Sequence, residues 1–97
     1  MTHEELIPAA DFCTHHQIEV SFLHSLQDYG LVEMTTVEHN VYLHPEQLSA
    51  LEKFIRLHYD LHVNLEGLDV IHHMLSRVED LQREIGALRN RLRFYGE

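Results

Sequence analysis

The sequence predicts a mostly helical domain: a helix-turn-helix, a small β-hairpin wing and a long C-terminal helix of coiled-coil type. Three observations carry that reading. Apolar residues at helical spacing flank the polar turn His15-His16-Gln17. A stretch rich in β-branched residues, Leu31 to Leu43, is broken by the polar trio Glu38-His39-Asn40. From Ile71 onward, apolar residues recur at alternating intervals of three and four.

The first helix is predicted from about Pro8 to His15. Pro8 suits a first helical position, where a missing N–H leaves nothing unpaired, and Ala9, Ala10, Phe12 and Cys13 supply an apolar side. A second helix carries Val20, Leu23 and Leu26 toward the core, and Gly30 follows where a left-handed residue closes a helix. Leu31 to Val37 and Val41 to Leu43 then form the predicted wing. At Leu43-His44-Pro45-Glu46-Gln47, a proline followed by an early acid opens a third helix, with Leu48, Leu51, Phe54, Ile55 and Tyr59 facing inward and its exit near His62.

Asn64 is placed to cap the last helix, predicted from Glu66 to about Tyr95 and ~45 Å long at 1.5 Å per residue. Its apolar positions Ile71, Met74, Val78, Leu81, Ile85, Leu88, Leu92 and Tyr95 make an unbroken heptad seam. β-Branched Ile71, Val78 and Ile85 at one seam position, with Leu81 and Leu88 at the other, favour two strands and hence a homodimer. Gly86 on the outer face weakens the helix by ~1 kcal/mol relative to Ala, so packing along the seam must hold it.

Ninety-seven residues make a single domain, 1–97, in which 1–62 form the helix-turn-helix and wing and 63–97 the dimerisation helix. Hydrophobic residues at 44% and charged residues at 24%, with two Pro and four Gly, exclude a disordered chain. No apolar run approaches the ~20 residues that span a bilayer, and the polar, acidic Met1 to Glu5 is unlike the basic start of a signal peptide. The single cysteine, Cys13, has no internal partner, which fits a reducing cytoplasm.

Charge is distributed unevenly. Residues 1–52 contain no Lys or Arg and carry a net −9, whereas from Lys53 onward seven basic residues cancel seven acidic ones. An acidic body of this kind repels a phosphate backbone and attracts a basic protein surface. Ten His residues raise the question of a metal. His58 and His62 have the i, i+4 spacing that sets two imidazoles on one helix face, but Asp60 points to another side and no cysteine pair is present, so no metal or cofactor is expected. Cys13 lies near His15 and His16, yet no glycine-rich nucleophile turn, phosphate loop or carboxylate pair accompanies it, and no enzymatic activity is expected.

Several tokens point to a known family: Asp11-Phe12-Cys13, Tyr29-Gly30-Leu31-Val32-Glu33, Val63-Asn64-Leu65-Glu66-Gly67-Leu68 and Arg91-Leu92-Arg93-Phe94. With the stretches Ile7 to Val32 and Val41 to Ile55, they make the chain resemble the MerR-type winged helix-turn-helix and, more closely, the chaperone modulator CbpM family. DNA-binding members present Arg and Tyr just before the glycine of the second helix. Here Tyr29 precedes Gly30 but no Arg does: the chain offers His24, Ser25, Leu26 and Asp28, and a wing without positive charge.

The CbpM resemblance implies an adaptor that binds the J-domain of a CbpA- or DnaJ-like co-chaperone and blocks its stimulation of the chaperone DnaK by occlusion. It implies a basic helix as the partner surface and no nucleic acid. Acidic Asp28, Glu33 and Glu38, with the neighbouring Tyr29 and Tyr42, are the expected contacts. The alternative is a MerR-like DNA-binding transcription regulator.

Overall fold

The structure, a computed structural model, describes residues 5–96. The acidic opening from Met1 to Glu4 and the terminal Glu97 lie outside the described residues. In chain order the elements are β1 (Ile7–Pro8), α1 (Ala9–His16), α2 (Val20–Asp28), β2 (Met34–Val37), β3 (Asn40–Leu43), α3 (Leu48–Ile55) and α4 (Leu65–Gly96). A 3₁₀ turn, Pro45–Gln47, leads into α3, and a π-helical turn, Arg56–Asp60, leads out of it.

Both helices of the helix-turn-helix end in the same backbone device. After α1, Gln17 takes a left-handed φ of 58°; its N–H donates to the Thr14 carbonyl at 3.3 Å, and the Ile18 N–H donates to the Cys13 carbonyl at 3.0 Å. After α2, Gly30 at φ 75° donates to Gln27 and Leu31 donates to Leu26, both at 2.9 Å. These paired bonds satisfy carbonyls that a helix end leaves open, and they turn an apolar residue, Ile18 or Leu31, back onto the core. Gly30 therefore has the predicted role. Helix α1 starts one residue later than expected, with Pro8 as its cap residue.

The wing is part of a three-stranded antiparallel sheet of order β1-β3-β2, one strand more than the hairpin expected. Ile7 and Pro8 pair with Leu43 and Tyr42, and Pro8 ends the strand because it has no N–H to give and begins the turn into α1. The hairpin turn is also tighter than expected. Glu38 and His39 both have positive φ, 50° and 71°, so two residues make the turn and Asn40 already pairs with Val37. Leu31 and Val32, expected in the first strand, instead enter the core ahead of it.

The core joins α1, α2, β3, α3 and the root of α4 through Phe12, Cys13, Phe22, Leu23, Leu26, Leu43, Leu51, Phe54 and Leu68. Leu23, Leu26, Leu43, Leu51 and Leu68 are fully buried, so truncating any of them to Ala costs about 2–5 kcal/mol. Val20, expected inward, is 41% exposed, and Phe22 takes the inward place on α2. Tyr59 is also exposed rather than buried. The π turn adds a residue to each helical repeat, with Leu61 N–H donating to the Arg56 carbonyl at 3.3 Å, which shifts the inward face away from Tyr59.

Helix α4 begins as Asn64 predicts: its Oδ1 accepts the Gly67 N–H at 2.7 Å. At 32 residues it is ~48 Å long, and it accounts for much of the 58 Å long axis of the molecule. Among the described residues, no helix is long and apolar enough to cross a membrane.

Candidate docking surfaces

The outer face of the helix-turn-helix is uncharged or acidic. Helix α2 exposes Val20, Ser21, His24, Gln27 and Asp28. Around it, Glu5, Asp11, Glu19, Asp28, Glu33, Glu38, Glu46 and Glu52 are all exposed, with no Lys or Arg before Lys53. The ion pairs among the described residues lie elsewhere: His73 with Asp69 at 3.4 Å, which needs a protonated imidazole, and Arg83 with Asp80, both on α4. The carboxylates of the body therefore face solvent without cationic partners.

The five expected contact residues are spread over the end of α2, the wing and its turn. Asp28 is the exposed last residue of α2. Tyr29 leans toward the root of α4; lost hydration and the Glu66 and Asp69 carboxylates push its phenol above the usual tyrosine value. Glu33 opens the wing, where its N–H donates to Gln47 Oε1 at 2.7 Å and ties the wing to the entrance of α3. Glu38 lies in the turn beyond the opposite end of β2, on the order of 16 Å from Glu33 at ~3.3 Å per residue. Tyr42, half-buried on β3, pairs with Thr35 on one side and Pro8 on the other. On the same sheet face, Thr35 Oγ1 and His44 Nε2 are hydrogen-bonded at 2.8 Å.

Two apolar hollows were not visible in the sequence. One, about 260 Å³, is a crook between the starts of α1 and α2 and strand β3, lined by Pro8, Ala9, Ala10, Val20, Val41 and Tyr42, with the polar His39 and Asn40 on the side of the wing turn. The other, about 400 Å³, lies between the π turn and α4, where Leu57, Leu61, Ile71 and Leu75 meet beside Lys53, Arg56 and Asp60. Exposed Val20 and Leu61 are the signals that could have pointed to them: each is an apolar side chain that its own helix does not bury.

Along α4, the seam residues Met74, Val78, Leu81, Ile85, Leu88, Leu92 and Tyr95 are 40–78% exposed in the single chain. Ile71 differs. It is half-buried and, with Leu75, lines the cleft against the π turn, so the seam begins where the intramolecular contact ends.

His58 is occupied structurally. Its Nδ1–H donates to the Val63 carbonyl at 2.8 Å and its ring stacks on Phe22 at 4.5 Å. His62 sits beyond the π turn at φ 61°, so the regular i, i+4 geometry assumed for a metal pair does not hold. Cys13 is buried, and the loss of hydration pushes its thiol up, away from the reactive thiolate.

A helix-turn-helix with a three-stranded wing and a long C-terminal helix defines a regulatory binding domain. The MerR HTH family regulatory protein profile matches residues 7–90, which covers both helices, the wing and most of α4, and the chain belongs to this family. No curated protein and no solved structure is a match.

Proposed function

We propose that this chain is a non-enzymatic, cytoplasmic chaperone modulator of the CbpM type. It binds the basic helix of the J-domain of a CbpA- or DnaJ-like co-chaperone and prevents that helix from reaching DnaK. The observation that carries this reading is the helix-turn-helix and wing surface, with eight exposed carboxylates between Glu5 and Glu52 and no Lys or Arg. A duplex binder needs cations there, because each phosphate contact contributes by releasing a counterion. A basic helix needs the opposite charge, and occlusion requires binding free energy but no chemistry.

The same reading includes a homodimer joined along α4. A stripe of seven exposed apolar side chains on one helix face is an aggregation liability unless a second copy covers it. Membership of a family of regulatory proteins favours a second reading, a DNA-binding transcription regulator.

Charge reversal tests the first reading. Asp28→Lys, Glu33→Lys and Glu38→Lys together should slow association with a J-domain and flatten its dependence on ionic strength, with dissociation nearly unchanged and helical circular dichroism intact. A triple variant that associates as fast as wild type at low salt would show that these acids serve only solvation.

A further inference from the structure

We infer that the crook between the starts of α1 and α2 and strand β3 is an anchor pocket. Its occupant is an apolar side chain carried on a lysine- or arginine-rich helical segment of a partner protein. The inference deepens the chaperone-modulator reading and rests on it for the partner's basic character. It differs in placing the central contact at residues outside the acidic and tyrosine set named above, Tyr42 excepted.

Backbone geometry keeps the hollow open. Strand β1 stops at Pro8, so among the described residues β3 is paired on that side at Tyr42 and Leu43 only, and Asn40 and Val41 have no strand beside them there. The chain then turns into α1, which sets Ala10 on the rim, while the three-residue turn after α1 brings in Val20 from the start of α2. Ala10 and Val20 are exposed apolar side chains whose own helices do not bury them. The hollow of about 260 Å³ has room for a large side chain.

Charge selects the partner. Each lining segment continues directly into an exposed carboxylate: Ala10 into Asp11, Glu19 into Val20, Glu38 into His39. A largely apolar hollow on a body with eight exposed carboxylates and no Lys or Arg before Lys53 suits a helix that carries one apolar anchor among cations, since the surrounding charge speeds encounter and the desolvated anchor holds the complex. The larger cleft beside α4 is lined by Lys53 and Arg56 as well as Asp60, so it offers a basic helix no net negative charge, and it adjoins the seam that a second copy would cover.

Two exposed alanines make the test. Ala10→Trp fills the crook, Ala50→Trp adds the same bulk beside α4, and Val20→Gln makes the floor polar without filling it. The probes are a fluorescent helical peptide of lysine and leucine, a lysine and serine peptide of equal charge, and random duplex DNA, each titrated into the full chain at low salt. The lysine and leucine peptide should bind wild type and Ala50→Trp alike, and lose about tenfold or more with Ala10→Trp and with Val20→Gln. The lysine and serine peptide should bind weakly to all four proteins. Equal binding of both peptides to wild type, or undiminished binding by Val20→Gln, overturns the proposal, as does duplex binding that Ala10→Trp abolishes. If wild type ignores a J-domain while the peptide pattern holds, the chaperone reading fails and the anchor pocket stands.

Discussion

Gly67 and Gly86 lie in the same helix and should respond to alanine with opposite signs. A Cβ at Gly86 meets open space, so Gly86→Ala should stabilise the chain by about 0.5–1 kcal/mol through helix propensity alone. At Gly67 the same atom would come 2.7 Å from Val63 Cγ1 and 3.1 Å from Asn64 Oδ1, the oxygen that caps the helix. Val63 is β-branched and cannot swing aside freely, so Gly67→Ala should destabilise by about 1–3 kcal/mol. Urea unfolding of the two variants reads both signs, and stabilisation by both would contradict the capping geometry. Cys13 offers a pH test. Burial raises its thiol pKa in the folded state, so its contribution to stability is present below the free-thiol range and is lost as pH rises through the folded value. Iodoacetamide at pH 8 should label the native chain far more slowly than the urea-unfolded chain; equal rates would mean that the thiol is accessible.

At the scale of elements, α4 does two jobs that the heptad pattern alone does not separate. Its root, through Leu68 and Ile71, belongs to the body, and the stripe from Met74 to Tyr95 is exposed in the single chain. Leu81→Asp places a charge on that stripe, where a dimer would strip its hydration, and should cost the dimer several kcal/mol while leaving the monomer folded. Sedimentation at roughly tens of micromolar should show a dimer for wild type and a monomer for the variant; a monomeric wild type would refute the seam. The features legible in the sequence were those set by local chemistry, such as the glycine that closes α2 and the asparagine that caps α4. Strand β1 was not legible, because two residues ending in proline show no alternation and their partners lie far along the chain in β3. Tyr59 and Val20 were misplaced for a related reason: a uniform helical period cannot register a π turn or reveal that Phe22 outcompetes Val20 for the core. The crook is formed by residues from separate elements, and no single stretch of sequence announces it.

Across the whole molecule the dominant feature is a division of charge. An acidic head, net −9 over residues 1–52, is joined to a C-terminal half in which opposite charges balance. Its field reaches as far as the Debye length allows, ~30 Å at 0.01 M ionic strength and ~8 Å at 0.15 M, so the head acts mainly on encounter. The same head makes the two functional readings diverge most at low salt, where a duplex and a basic helix experience forces of opposite sign. The most direct measurement immobilises the full chain and passes a J-domain and random duplex DNA over it at ~0.01 M and ~0.15 M ionic strength. The expected outcome is fast J-domain association that slows as salt rises, dissociation that barely changes, and no duplex retained at either salt. Duplex retained at low salt in the presence of competitor, with no J-domain signal, would contradict it.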